Sequence, residues 1–316
     1  MAIQHLSNTV SPFALIPVAA FERTEDAVPA ARAIAAGGVP VMEITLRTAA
    51  GLQAIEQVRS ACPDVLVGAG TVLTLQQARD AAAAGAMFVV SPGLSADICT
   101  WCLEQGLAVF PGCVTPTEIQ QGLALGLKTF KFFPASVYGG LTACKALHGP
   151  FGPAGVSFIP TGGVDLTNLA EYARAPYIAA IGGGWLCSGA ALAAGDFDRL
   201  TETARKSVAA LLGLSFAHVG VRPGGRPLSE LEALLPEHSS SPYFLLNAAI
   251  ECCPESTPGT HGHLAIATNS VLRAARYLER QGVRFDWENA KWNGDRLNAL
   301  YFQEEFGGFA VHLLQK

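Results

Sequence analysis

The stretch Lys128-Thr-Phe-Lys-Phe-Phe-Pro-Ala135 decides how the rest of the chain is read. It is short, aromatic and apolar, and Pro134 closes it, which predicts a buried strand. Lys131 sits in its middle. Side chains at i and i+2 of a strand share a face, so Thr129, Lys131 and Phe133 point one way and Phe130 and Phe132 the other. Lysine is almost never fully buried without a partner or a purpose. Burial disfavours an ammonium, so a lysine inside an apolar strand is a candidate nucleophilic amine. The plainer alternative is a strand-end lysine whose head reaches solvent.

Outward from that strand, similar phrases recur. They are Phe13-Val18, Val39-Ile44, Val65-Gly70, Ala86-Ser91, Leu107-Phe110, Lys128-Phe133, Val156-Thr161 and Ile178-Gly182, starting 21 to 28 residues apart. Between them lie Ala-rich segments of helical periodicity: Asp26-Ala36, Ala50-Ala61, Leu75-Ala84, Ala96-Glu104, Pro116-Leu125 and Gly140-Leu147. Asp165-Ala173 and Gly189-Leu212 follow the last two strands. Gly37, Gly85, Gly106 and Gly126 suit helix C-termini. Near-continuous apolar strands alternating with helices predict a parallel sheet. Eight such units predict a (β/α)8 TIM barrel over residues 1–212. An open doubly wound sheet is the alternative, but no Gly-x-Gly-x-x-Gly opens a first helix.

Composition bounds the function. The 316 residues are 50% hydrophobic and 15% charged, with a net charge of −5, enough for a large core. A mildly acidic chain without basic clusters excludes nucleic acid as the main partner. No apolar run approaches the roughly 18 residues of a membrane span. The N-terminus lacks a charged segment followed by an apolar one, so no leader peptide is expected. The eight cysteines are scattered through apolar stretches, which fits buried thiols in a reducing cytoplasm. Cys99 and Cys102 fall inside an expected helix with no second pair, so a redox or zinc role is not expected of them.

In a barrel, active-site residues lie at the C-terminal ends of the strands. In the second strand, Val41, Glu43 and Thr45 share a face and Arg47 follows. An unpaired buried carboxylate is costly, so Glu43 needs a reason, either chemistry or an internal pair with Arg47. The later strands end in Val67-Gly-Ala-Gly-Thr71, Ser91-Pro-Gly93, Phe110-Pro-Gly112, Phe133-Pro134, Pro160-Thr-Gly-Gly163 and Ile181-Gly-Gly-Gly184. The glycine pairs Gly162/Gly163 and Gly183/Gly184 follow strands seven and eight, the usual phosphate position of this fold.

Glu43-Ile-Thr-Leu-Arg-Thr48, Val67-Gly-Ala-Gly-Thr71, Ser91-Pro-Gly93, Phe130-Lys-Phe-Phe-Pro-Ala135 and Pro160-Thr-Gly-Gly163 stand in an order and spacing that resembles the 2-keto-3-deoxy-6-phosphogluconate (KDPG) aldolase family, which also cleaves 4-hydroxy-2-oxoglutarate. The resemblance covers roughly residues 8 to 212. It implies a class I, metal-independent aldolase, commonly a homotrimer. It implies that Lys131 is the Schiff-base lysine and Glu43 the general acid/base. It further implies that Arg47 and Thr71 hold the pyruvate-derived carboxylate. Pro92 and Thr161 would line the same pocket. Gly162, Gly163, Gly183 and Gly184 match phosphate-loop positions. Family members specialised for the phosphorylated sugar acid often carry serine where this chain has Gly184, so phosphate preference is open. In the expected chemistry, the Lys131 amine attacks a 2-keto acid and the resulting imine is the electron sink. Glu43 moves the proton of the 4-hydroxyl as the C3–C4 bond breaks. Lys128 and Lys145 are rival lysines, one at the wrong strand end and one in a helix.

Residues 213–316 read as a second, small α+β domain. Ser215-Val221 is an expected strand, Leu228-Leu235 a short helix, and Tyr243-Cys253 a hairpin region. Thr260-Thr268 is a strand, Val271-Gln281 a helix, and Leu297-Phe302 and Gly308-Gln315 are strands. The openings Ala217-His-Val-Gly-Val221 and Gly262-His-Leu-Ala-Ile266 suggest an internal repeat. The second copy resembles the βαβββ modules of the glyoxalase/bleomycin-resistance (vicinal oxygen chelate) superfamily; the first is shorter. Metal-binding positions implied by that resemblance fall on His218, Glu251, His263 and His312, the last in place of an expected Glu, with His261 a rival. A divalent ion there is one reading. The favoured one is a set of satisfied polar residues in a module that has lost its metal.

A cytoplasmic aldolase acting on a small 2-keto acid without a cofactor is therefore expected. A small-molecule sensor working through residues 213–316, with the barrel as scaffold, competes with it. An isomerase or epimerase on a phosphate-binding barrel is a third reading, and it would form no imine.

Overall fold

The computed structural model describes residues 14–222, 230, 244–245, 249–253 and 257–316. The chain divides into two compact units, Met1–Leu211 and Leu212–Lys316.

Unit 1 alternates strand and helix. Its strands are β1 (Leu15–Ala19), β2 (Val41–Thr45), β3 (Leu66–Gly70), β4 (Phe88–Ser91), β5 (Ala108–Pro111), β6 (Thr129–Phe132), β7 (Ser157–Pro160) and β8 (Ile181–Gly183). Its helices are α1 (Ala27–Ala36), α2 (Gly51–Ala61), α3 (Leu75–Ala83), α4 (Ala96–Glu104), α5 (Pro116–Ala124), α6 (Gly140–Phe151), α7 (Leu169–Arg174), α8 (Gly189–Ala194) and α9 (Phe197–Leu212). Six strands form one parallel sheet in the order β5-β4-β3-β2-β1-β8, and β6 pairs with β7 in parallel. Single parallel bridges join β6 to the segment after β5, at Gly112 and Lys131, and join the β7 region to β8, at Thr161 and Gly182.

The strands are apolar on both faces because helices cover one side and strand side chains fill the other. Phe130 and Phe132 are fully buried. Phe132 meets Phe158 edge-on at 6.1 Å, and Phe130 packs where a Cβ on Gly122 of α5 would lie 2.3 Å from its ring. Two helices open with reciprocal caps that satisfy otherwise unpaired N–H groups, Thr74 with Gln77 and Thr115 with Glu118. Cys99 and Cys102 are fully buried in α4, and burial pushes their thiols up to about 11 and about 12. Neither is a ready thiolate.

One local expectation is corrected. The segment 189–212 is two helices, because Gly195 turns left-handed (φ 64°) after α8. Gly37 caps the C-terminus of α1 as expected, and Gly38 after it takes the left-handed conformation (φ 95°). Gly37 must also be small: a Cβ there would lie 2.4 Å from Cβ of Ala204 on α9.

Unit 2 is a seven-stranded mixed sheet in the order β10-β11-β9-β12-β15-β14-β13. Its strands are β9 (Ser215–Val221), β10 (Phe244–Leu245), β11 (Ile250–Cys252), β12 (Gly262–Thr268), β13 (Lys291–Asn293), β14 (Arg296–Tyr301) and β15 (Ala310–Gln315). The helix α10 (Val271–Glu279) follows β12 and is capped by Ser270, whose Oγ accepts from the Arg273 N–H. β11 runs parallel to β9 and β15 parallel to β12, while β9 and β12 pair antiparallel in the middle. β10 and β11 form the expected hairpin. The helix expected at 228–235 lies outside the described residues, apart from Glu230. Among the described residues, no helix is long and apolar enough to cross a membrane.

Candidate active site

Lys131 is the third residue of β6 and Glu43 the third of β2. Lys131 Nζ donates to Glu43 Oε1 at 3.2 Å, and the side chains are only 7% and 3% exposed. Glu43 thus pairs with Lys131. Arg47 is exposed two residues beyond β2 and donates its Nε to Thr45 Oγ1 at 3.3 Å, so the internal Glu43–Arg47 pair is replaced by a different one.

β2 and β6 are not neighbours. In the pairing order, β3, β4 and β5 lie between them. In a flat sheet four strand steps of about 4.8 Å would hold them about 19 Å apart. A 3.2 Å contact therefore requires the strands to curl until their inner faces meet. The ring of Phe133, on the same strand face as Lys131, lies 5.2 Å from Nζ.

Space under Glu43 is supplied by glycine. A Cβ on Gly70, in β3, would lie 2.2 Å from Glu43 Oε1. Gly70→Ala is therefore expected to push the carboxyl off Lys131 while leaving the fold in place. Displacements of about 1 Å at a reacting group cost about 10²-fold in rate. The check is kcat/KM together with a near-UV dichroism spectrum, and unchanged turnover would show that this contact does not set the geometry.

The remaining predicted residues stand at the C-terminal ends of strands. Thr71 follows β3 in a left-handed conformation (φ 57°), a strain non-glycine residues rarely carry and one that clusters at functional sites. Pro92 follows β4, half-buried. Thr161 follows β7; it is buried, and its Oγ1 has no hydrogen-bond partner among the described residues. A Cβ on Gly182 would lie 2.3 Å from that oxygen. Gly162 and Gly163 are both left-handed (φ 89° and 80°). Gly183 closes β8, and Gly184 is exposed and opens a short 3-10 turn, Gly184–Cys187. The rival lysines Lys128 and Lys145 are exposed.

Ser136 was not anticipated. A Cβ on Gly163 would lie 2.3 Å from its Oγ, and its N–H donates to the Gly162 carbonyl at 3.0 Å. The signal for it was a small hydroxyl residue four positions past the end of the lysine strand, at the same rim as the glycine pair.

In unit 2, His218, Glu251, His263 and His312 converge, although sequence alone shows no local pair among them. Glu251 Oε2 is 3.0 Å from Nε2 of both His218 and His263. Burial lowers the pKa of His263 and holds His312 down at about 4. The His312 Nε2 has no hydrogen-bond partner among the described residues, so the expectation of fully satisfied polar groups does not hold there. His261 stands outside β12, exposed, its ring 5.7 Å from Phe309. Sequence reading missed Cys253, whose Sγ lies 3.6 Å from His263 Nδ1.

Comparison with known proteins agrees with the geometry of unit 1. The family model for KDPG and KHG aldolase matches residues 6–203. A 2-dehydro-3-deoxy-phosphogluconate aldolase of Treponema pallidum is 46% identical over 194 residues, which is 61% of this chain and 91% of that protein. The KHG/KDPG aldolase of Escherichia coli K12 is 43% identical over 194 residues, 61% of this chain and 90% of its own length. Among solved structures, the KDPG aldolase of Legionella pneumophila, with pyruvate captured as a covalent carbinolamine intermediate, matches at a TM-score of 0.60 and 38% identity, covering 63% of this chain and 96% of that one. A buried lysine–carboxylate pair in a parallel α/β unit with such relatives defines a class I, Schiff-base lyase. The chain belongs to the KDPG and KHG aldolase family.

Proposed function

We propose that the chain cleaves 2-keto-3-deoxy-6-phosphogluconate to pyruvate and glyceraldehyde 3-phosphate, 4-hydroxy-2-oxoglutarate to pyruvate and glyoxylate, or both, with Lys131 and Glu43 as the catalytic pair. The observation that carries the reading is their buried 3.2 Å contact. Glu43 stands close enough to take the ammonium proton and free the amine. Lys131 Nζ attacks the ketone carbon, forming a carbinolamine that loses water to a protonated imine. Glu43, acting through a water, removes the 4-hydroxyl proton. The C3–C4 electrons flow into the imine, the aldehyde leaves, and the remaining enamine takes a proton at C3. Hydrolysis then releases pyruvate and restores the amine. The protein supplies every group this sequence needs, so the aldol reaction uses no cofactor.

Arg47 and Thr71 are assigned to the substrate carboxylate, which an arginine fork suits. Pro92 and Thr161 line the pocket, and the unpartnered Thr161 hydroxyl is available to substrate. Gly162, Gly163, Gly183 and Gly184 offer backbone N–H groups to a phosphate. A Cβ on Gly184 would meet nothing nearer than the Val18 carbonyl oxygen at 3.9 Å, so a serine would fit there. With glycine, phosphate recognition rests on backbone donors alone.

The fold that supports this reading is a closed (β/α)8 barrel over residues 1–212. The bridges at Gly112/Lys131 and Thr161/Gly182 and the contact between β2 and β6 favour closure. Residues 213–316 are assigned to a glyoxalase-like domain of paired βαβββ modules. The run β12-α10-β13-β14-β15 has that element order. The homotrimer rests on the family resemblance, and the cytoplasmic location on the buried thiols.

Sodium borohydride treatment with and without pyruvate, followed by peptide mass spectrometry, tests the reading. The expected result is a pyruvate-dependent adduct on Lys131 with activity lost. Folded protein that yields no adduct on any lysine would overturn it and favour the sensor or isomerase alternatives.

A further inference from the structure

The loop between β7 and α7 contains a side chain that no role assigned so far uses. Asn168 stands immediately before α7, where an asparagine ordinarily accepts a hydrogen bond from the first turn of its helix. It makes no such bond. Its amide turns back on the loop instead. Nδ2 donates to the Gly163 carbonyl oxygen at 3.0 Å, and Oδ1 accepts from the Asp165 N–H at 3.0 Å. The carbonyl only accepts and the N–H only donates, so one orientation of the amide satisfies both. Asp165 is fixed in turn, since its Oδ1 accepts from the N–H and the hydroxyl of Thr167 at 2.8 and 2.6 Å.

In a trans peptide the carbonyl of one residue and the N–H of the next point in opposite directions. Holding a carbonyl therefore aims the N–H that follows it. Three successive carbonyls of this loop are held. Those of Thr161 and Gly162 accept from the N–H groups of Ala135 and Ser136, at 2.8 and 3.0 Å, and that of Gly163 accepts from Asn168. The first two donors are backbone just past the lysine strand. The third is a side chain, and a substitution can remove it. The N–H groups of Gly163 and Val164 are thereby turned away from the donors that hold the loop, and neither meets an acceptor among the described residues. Val164 is only 6% exposed. A buried N–H without an acceptor is rare and costly. Successive N–H groups around a left-handed residue, here Gly163 (φ 80°), are an anion-binding arrangement.

We propose that Asn168 is a positioning residue for the phosphate of the substrate: it holds the Gly163 carbonyl so that the Val164 N–H, together with that of Gly163, donates to the phosphate oxygens, a role that rests on the aldolase reading. Gly184 supplies no hydroxyl, so recognition depends on how well backbone donors are aimed, and the aim of the Val164 donor depends on Asn168. Asn168 does not touch the reacting carbons. A keto acid without a phosphate has no use for the donor it aims, so Asn168 discriminates between the two substrates.

The test joins steady-state cleavage of both keto acids by the full-length chain to binding of inorganic phosphate, followed through the amide signals of protein labelled with nitrogen-15 at glycine and valine. Asn168→Ala, and Asn168→Leu with its similar shape and equal charge, are each expected to raise KM for 2-keto-3-deoxy-6-phosphogluconate about tenfold, the worth of one hydrogen bond to a charged group. kcat for that substrate and the cleavage of 4-hydroxy-2-oxoglutarate should stay as in the wild type, a split that general loosening of the barrel would not give. Phosphate should shift the Gly163 and Val164 amide signals of the wild type and bind both variants about tenfold more weakly. Thr167→Ala removes a neighbouring bond of the same loop and should change neither KM. Equal losses on both substrates, or phosphate affinity indifferent to Asn168, would overturn the assignment. So would unshifted Gly163 and Val164 signals in the wild type, a result that needs no variant to fold. A wild type that cleaves neither acid, yet loses phosphate on Asn168 substitution, would sink the aldolase reading and support the anion site. Cleavage of both acids with no effect of Asn168 would do the reverse.

Discussion

Lys131→Met is expected to lower kcat/KM by at least about 10⁴-fold and to abolish every pyruvate-dependent borohydride adduct. The proposed nucleophile is removed, and the exposed Lys128 and Lys145 form no ion pair with a buried carboxylate among the described residues. The substitution has a second, structural effect. Glu43, with its side chain 3% exposed, would face a thioether instead of an ammonium. Removing one partner of a buried ion pair costs roughly 3–5 kcal/mol, because the remaining charge keeps its desolvation penalty. Chemical denaturation at neutral pH should show that loss. The double variant Lys131→Met/Glu43→Gln should regain much of it, since a neutral amide is cheaper to bury than an unpaired carboxylate. Adducts that persisted in the single variant would place the nucleophile elsewhere.

Glu43→Gln should separate imine formation from carbon–carbon cleavage. The lysine remains, so pyruvate should still be trapped on Lys131 by borohydride. Cleavage and the exchange of pyruvate methyl protons with solvent should both fall about 10²- to 10⁴-fold, the usual contribution of a positioned acid/base. Loss of exchange together with loss of trapping would instead make Glu43 essential for generating the free amine. Retention of both would remove it from the proton path altogether.

Each member of the proposed reactive pair was visible in the sequence as a charged residue inside an apolar strand. Their shared site followed only from the family resemblance, and their direct contact was not visible. Lys131 and Glu43 meet across the inside of a curled sheet, and strand periodicity says which face a side chain occupies but not what it faces. Arg47, four residues from Glu43, was therefore the nearer partner on paper. The strands themselves were legible because their apolar runs are bounded by glycine, proline and helical segments. The break at Gly195 was missed because the Ala-rich run before it and the helix-compatible segment after it were read as one pattern, with Gly195 passed over as an interior glycine. β13 was missed for a different reason: Lys291–Asn293 is three residues long, exposed throughout, and too short to show an alternating apolar face. The Asn293-Gly294 turn, with Asn293 paired to Arg296, was the signal that would have found it. In unit 2 the four cluster residues could be named, but their convergence depends on a register in which His263 lies opposite Gly220 and beside Ala310. No local spacing encodes that register.

The 88 residues that separate Glu43 from Lys131 also have a meaning during synthesis. At 5 to 20 residues per second, roughly 4 to 18 s pass between the emergence of one and of the other. Throughout that interval the nascent chain holds an acid with no base to match it, in a sheet that still lacks its remaining strands. On the proposed assignment, no N-terminal fragment ending before β6 is expected to carry activity, and release of pyruvate would report long-range assembly, whereas helix signals report only local order. Recovered turnover is therefore the stricter assay of correct folding for this chain, and circular dichroism the more lenient one.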